Sequence, residues 1–268
     1  AAKRGIKITS SNVTIKDFKY VGLGVNALYE QGIYAVGSSG SELENIIIDG
    51  AILDETGYSG VSLEYVIGFK VFNCRITNAN DAGIRMFSSS NGEVCHNFID
   101  TVTGVANSHY GINATRNLVT DALCSNILIH HNEVHNVPGW VGIDTHGGQN
   151  ISIESNQIFD CAFGTTVTAA HGSNAANVLV TNNLYGGTTG TAIEFGASTG
   201  YIGGNTIPST VTNGISLLAS NVALGPNFNA ATTPFTLATA AIGNTDVYDR
   251  MRLFDTQRPS QTTVAEQG

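Results

Sequence analysis

The residues best suited to chemistry are crowded into one third of the chain. All seven histidines (His96, His109, His130, His131, His135, His146 and His171) lie between residues 96 and 171. Within that window, Asp144-Thr145-His146 followed by Gly147-Gly148 pairs a carboxylate with an imidazole on alternate residues. In an extended strand such residues share a face. An acid there would orient or polarise, and a histidine would carry protons near neutral pH. His130, His131 and His135 invite a metal reading, but adjacent strand residues point to opposite sides, so no metal site is expected.

Those residues need a scaffold, and a repeat supplies it. Alternating apolar residues followed by Asn, any residue and an aliphatic recur as Ile127 to Val134, Ile151 to Ile158, Val178 to Leu184 and Ile202 to Ile207. Anchors at 50, 73, 97, 132, 156, 182 and 205 are spaced 23 to 26 residues apart, except for a 35-residue interval carrying about eleven extra residues. Short alternating stretches are strands with one inward face. A second strand follows each anchor: Gly83-Ile84-Arg85, Gly142-Ile143-Asp144, Thr166-Val167-Thr168 and Ala192-Ile193-Glu194. Propeller blades need longer units, and a sandwich has no reason to repeat one pattern. The expected fold is all-β, a parallel β-helix of about eight or nine coils whose asparagines stack into a ladder.

Residues 1–225 form the expected solenoid, with a first coil from Ser11 to Ser39. Residues 226–268 form a non-repeating tail, suited to capping or subunit contact because solenoid ends must be covered. Phe235-Thr236-Leu237 is a candidate extra strand.

Stacking also predicts a face. Ile84, Ile112, Ile143, Val167 and Ile193 align inward, which turns Arg85, Asn113, Asp144, Thr168 and Glu194 outward. His146 follows two residues further along, with Tyr110, His109 and His171 at the margins. Asp144 and Glu194 fall two coils apart, a separation compatible with the two carboxyls of an inverting glycosidase. Tyr110 and His146 offer instead an acid and a base for β-elimination or C5 epimerisation of a uronate, with Arg85 and Arg116 as the nearby cations. Trp140, the only tryptophan, is expected in a turn beside this face as a stacking platform or a loop anchor. The candidate catalytic set is therefore Asp144, His146, Glu194 and Tyr110. The binding set is Arg85, Asn113, Arg116, Trp140, His109 and His171.

Composition narrows the partners. Charged residues make up 12% of the chain, Gly numbers 31, and the formal net charge is −9. No Lys or Arg lies between Arg116 and Arg250. Nucleic acid and anionic membranes reward Lys and Arg, so neither is an expected partner. The four cysteines lack metal-type spacing and read as buried free thiols.

The repeat over roughly residues 10–225 resembles the right-handed parallel β-helix superfamily of pectate lyases, polygalacturonases, mannuronan C5-epimerases, alginate lyases and bacteriophage tailspike depolymerases. Asp144-Thr145-His146 looks like the Asp-Pro-His segment of the epimerases, with Thr145 at the Pro position. Those enzymes carry Tyr three residues before the Asp, where this chain has Val141, so Tyr110 would substitute from the neighbouring coil. Calcium is the one cofactor that the resemblance allows for, through the acidic cluster of pectate lyases, although no tight Asp cluster appears here. Low charge, abundant Asn, Thr and Gly, and the tail resemble tailspikes and imply homotrimer contacts. The resemblance implies cleavage of an extended polysaccharide by a depolymerase of hydrolase or lyase type, outside the cell or on a virion surface. The alternatives are a uronate C5-epimerase and a non-catalytic glycan-binding or structural tail module.

Overall fold

A computed structural model describes residues 4–237, apart from 25–29, 105–108, 170–171 and 219–220. Every regular element in them is a β-strand, and the strands pair in parallel from coil to coil. The coil has three faces. Sheet 1 holds nine strands, from Val13–Lys16 to Asn221–Leu224. A seventeen-stranded ladder covers the other two faces, here called sheets 2 and 3. Glu133–His146 and Gln157–Thr168 run continuously around the corner between them, with a register irregularity between Val137 and Val141.

Inward residues stack by type. On sheet 3, Ile33, Val61, Ile84, Ile112 and Ile143 lie in successive coils and are fully buried. Each such side chain contributes roughly 1.5–3 kcal/mol relative to exposure. Cys74, Cys95, Cys124 and Cys161 are buried and unpaired, as expected of core thiols.

The asparagine ladder exists, one residue off the anchors in three coils. Side-chain amides connect Asn97 to Asn132, Asn132 to Asn156, Asn156 to Asn183, Asn183 to Asn205 and Asn205 to Asn227, at 2.9–3.1 Å. Asn183, not Asn182, belongs to this row, and Cys74 and Ala51 occupy it in earlier coils. Asn182, Asn73 and Gly50 instead stand at the preceding corner with positive φ. Among described residues, ten of the twenty non-glycine residues with positive φ are Asn, whose short amide tolerates the left-handed region. The sharp corners thus account for much of the unusual Asn content.

Two extents differ from the sequence expectation. Arg4–Ile8 already pairs with Gln31–Val36, so coil structure begins before Ser11. At the other end, Phe228–Asn229 and Thr233–Leu237 pair with the previous coil, and Asn227 extends the ladder, so the boundary at 225 falls inside the solenoid. The rest of the tail lies outside the described residues.

The long coil carries its extra residues in two places. Spans 103–109 and 116–124 flank the strand Tyr110–Thr115, where the preceding coil has only 80–81 and 88–89. Both insertions therefore border sheet 3.

Candidate functional site

The outer face of sheet 3 is set by a row of glycines at its entry corner. A Cβ on Gly83 would stand 2.6 Å from the carbonyl oxygen of Gly111, and one on Gly142 2.8 Å from that of Gly164. Only glycine allows coils to stack so closely there. This row fixes the register: Ile143 pairs with Thr165 and Asp144 with Thr166. The expected partner, Thr168, lies beside His146 instead. The alignment through Val167 failed because Thr165 is a polar residue in an inward row. Its hydroxyl shares a 2.9 Å hydrogen bond with the buried Tyr185 hydroxyl.

In the corrected register the outer row reads Arg85, Asn113, Asp144, Thr166, Glu194 and Ser216. Asp144 points outward as expected but is fully covered, with 0% exposure. Asn113 Nδ2 donates to its Oδ2 at 2.5 Å, Thr166 Oγ1 donates to Oδ1, and His146 Nδ1 lies 2.9 Å from Oδ2. Its neighbours occupy three of the carboxylate's roughly four acceptor positions and cover it from solvent. That counts against Asp144 and Glu194 acting together as a glycosidase pair, since Asp144 exposes no oxygen to a sugar or a water. Glu194 lies two coils along as expected, half-buried, and burial raises its carboxyl above the usual range.

His146 leaves this arrangement with one nitrogen for a ligand. Asp144 engages Nδ1, so Nε2 is the remaining one. Burial disfavours the imidazolium, but the charge and hydrogen bond of Asp144 outweigh it, and the net shift is upward despite Arg85. The Tyr110 ring meets the imidazole edge-on at 6.0 Å between centroids. Burial, reinforced by Asp144, pushes the phenol up to about 12, so it holds its proton at neutral pH.

These groups line a cleft of about 320 Å3 together with Arg85, Phe87, Asn113, Thr115, Arg116 and Asn117. Among the described residues two guanidinium groups line it, and no Asp or Glu does. Arg85 is clamped, with Nη1 2.5 Å from both Asp81 Oδ2 and the Tyr58 hydroxyl, and its guanidinium lies 5.4 Å from the centre of the Tyr110 ring. Burial raises the Asp81 carboxyl to about 6 in spite of this pairing. Arg116 donates from Nη1 to the carbonyl of Asp121 and from Nη2 to Ser173 Oγ, across the second inserted span.

Of the expected site residues, the cleft gathers Tyr110, His146, Arg85, Asn113 and Arg116. Trp140 does not line it. It lies within the strand Glu133–His146, not in a turn, and packs edge-on against Phe163 at 5.4 Å. His109 is buried and closely packed against Gly139, where burial lowers its pKa. His171 lies outside the described residues. Sequence reasoning missed Asp81 and Tyr58, which hold Arg85, and Thr166, which holds Asp144. The Gly-x-x spacing of Gly164-Thr165-Thr166, matching Gly142-Ile143-Asp144, was the signal for Thr166.

The fold and a cleft on its third sheet define a β-helix protein with a polar groove. The family model for the right-handed β-helix region matches residues 59–229, and the chain belongs to that family. Among solved structures it is similar to the enzymatically active domain of tailspike protein 2 of bacteriophage CBA120, at 13% identity and a TM-score of 0.69, covering 88% of this chain and 42% of that one. It is also similar to the A-module of the Azotobacter vinelandii mannuronan C-5 epimerase AlgE6, at 16% identity and a TM-score of 0.63, covering 88% and 72%. The periplasmic alginate epimerase AlgG matches at 13% identity and a TM-score of 0.63, covering 84% and 57%. The chain thus spans under half of the tailspike domain it resembles. No curated protein matches it in sequence.

Proposed function

We propose that the chain acts on an extended, acidic polysaccharide by removing a proton from a uronate ring, giving β-elimination or C5 inversion. The observation that carries this reading is the chemistry of the cleft. Among the described residues it offers an imidazole, a protonated phenol and two guanidinium groups, but no carboxylate. Glycoside hydrolysis normally requires two carboxyl groups facing the sugar. Proton abstraction next to a carboxylate requires a base, an acid, and positive charge to stabilise the enolate that forms.

The roles follow from the protonation states. His146 Nε2 takes the C5 proton, and Asp144 holds the ring with Nδ1 protonated and stabilises the imidazolium that results. Tyr110, protonated at neutral pH, delivers a proton to the glycosidic oxygen as that bond breaks, or to C5 from the opposite side. Arg85 and Arg116 supply positive potential to the sugar carboxylate. Asn113 Oδ1 is a buried acceptor behind the cleft wall with no hydrogen-bond partner among the described residues. The epimerases and the tailspike domain among the structural neighbours support a polysaccharide partner, met outside the cell or at a virion surface.

The test is a panel of polyuronates and neutral glycans. Turnover of a polyuronate is expected as ultraviolet absorbance of an unsaturated product, or as deuterium gained at C5 in heavy water. His146→Ala and Tyr110→Phe should each cut turnover by about 10²–10⁴-fold with the fold intact. New reducing ends without unsaturation or exchange would overturn the reading in favour of a hydrolase. Binding without any alteration of the glycan would make the chain a binding module.

A further inference from the structure

Three of the histidines that the cleft does not use meet on another part of the coil. The strand Ser125–His130 belongs to sheet 1, and His131 occupies the corner that leads from it to sheet 2. His131 has a φ of 53°, which ends the strand's alternation and swings its ring beside that of His130. Their Nδ1 atoms are 2.7 Å apart. The expectation that neighbouring histidines must face opposite ways therefore fails at this corner.

One coil earlier, His96 occupies the same corner with a φ of 55° and stacks on His131, with centroids 5.2 Å apart and planes 24° from parallel. In six other coils this position holds Asp17, Gly50, Asn73, Ser155, Asn182 and Gly204, all with positive φ. Small residues suit that backbone, and imidazoles stand there in two successive coils only.

We propose that His96, His130 and His131 bind one divalent transition-metal ion of the zinc type, with Glu93 orienting His130 from behind. One ring nitrogen from each histidine already lies within 4.8 Å of the others. Zinc–nitrogen bonds of about 2.0–2.1 Å at tetrahedral angles place ligand nitrogens ~3.3 Å apart. Modest side-chain rotation opens the His130–His131 pair and draws His96 in. Imidazole donors select zinc, copper or nickel, and calcium prefers oxygen.

The surroundings support this assignment. Glu93 Oε1 lies 3.0 Å from His130 Nε2, and Lys70 Nζ lies 2.9 Å from Glu93 Oε2. A carboxylate on the far nitrogen of a ligating histidine fixes the tautomer and leaves Nδ1 for the metal. Cys95, which donates to Glu93, is buried, whereas His96 and His131 stand exposed at the corner. The ion would tie together both ends of the long coil between Asn97 and Asn132, which carries the two inserted spans beside the cleft. A fourth coordination position is left for water.

The experiment strips the full chain with a chelator, then titrates Zn2+ by calorimetry and Co2+ by its visible absorption at neutral pH. One ion per chain is expected, with a rise in Tm on loading. His96→Asn and His131→Asn each keep a residue that sister coils already carry at this corner, so the backbone is preserved. Each should weaken binding at least about 10-fold, Glu93→Gln by about 10–100-fold, and His135→Asn not at all. Absence of stoichiometric uptake at micromolar metal, or uptake that survives in the doubly substituted His96→Asn, His131→Asn chain, would overturn the proposal. Unchanged affinity in Glu93→Gln would remove the role assigned to Glu93.

Discussion

Two rows of buried polar side chains run along this solenoid, and they solve the same problem differently. Inside, each ladder asparagine donates to the amide oxygen of the next and to a backbone carbonyl, while its own oxygen accepts from the coil before. The row satisfies itself by repetition. On sheet 3 the row changes from Arg85 to Asn113, Asp144, Thr166 and Glu194, and no two successive residues are alike. There the hydrogen bonds converge on Asp144, and one imidazole nitrogen is left over. A buried polar row that closes on itself holds coils together. One that converges on a charge and leaves a group unspent is built to act on something else.

Breaking the convergence should have the largest effect. Asp144→Asn removes the negative charge that stabilises the imidazolium formed when His146 takes a proton. Activity should fall by about 10³-fold, as expected when the orienting acid of a histidine base is lost. The pH profile sharpens the point. Asp144 raises the His146 pKa, so the rate of the native chain should climb with pH through a value above the ordinary histidine range. The variant's residual activity should climb at lower pH, because burial and Arg85 would then act unopposed. The linked stability has the matching sign. The imidazolium–carboxylate pair stabilises the fold below the unfolded histidine pKa, and this is lost as pH rises through the folded one. A limb that stays in place in the variant would show that Asp144 does not set it.

Breaking the repetition comes next. Asn183→Ala strands the backbone N–H of Asn156 and one proton of its side-chain amide, and takes a donor from the carbonyl of Ile153. Denaturant unfolding should register a loss of about 3 kcal/mol, because several buried groups go unpaired at once. Turnover by the molecules that remain folded should be unchanged. A cost near zero would mean that water replaces the amide.

The smallest effect belongs to a third row, exposed at the corner that leads into sheet 1. Asn126 has a φ of 54°, donates to Asn91 and accepts from Asn150. Asn126→Ala should cost about 1 kcal/mol through left-handed strain, and Asn126→Gly only a few tenths. Equal losses in the two variants would assign the effect to the exposed hydrogen bonds instead.

Period, strand alternation and ladder were legible in the chain because each is a local pattern repeated many times. Asp144 and His146 stood out for the same reason, being alternate residues of one strand. Register was harder. Thr165 broke the apolar row, and its reason, the hydroxyl of Tyr185 one coil away, is invisible without stacking. Burial of Asp144 was equally hidden, since an outward-pointing residue is exposed or covered according to what Asn113, Thr166 and His146 do above it.

Sequence alone determined the solenoid, its coil length and the strand that bears the acid and the imidazole, because periodicity of two along a strand and of about two dozen between coils needs no long-range information. Tertiary structure alone decided which carboxylate is spent, which nitrogen is available, and that two adjacent histidines can face each other across a left-handed corner. The first depends on Asn113 and Thr166, which stacking alone brings to Asp144, and the others on side-chain directions along one strand and at one corner that the alternation pattern does not fix.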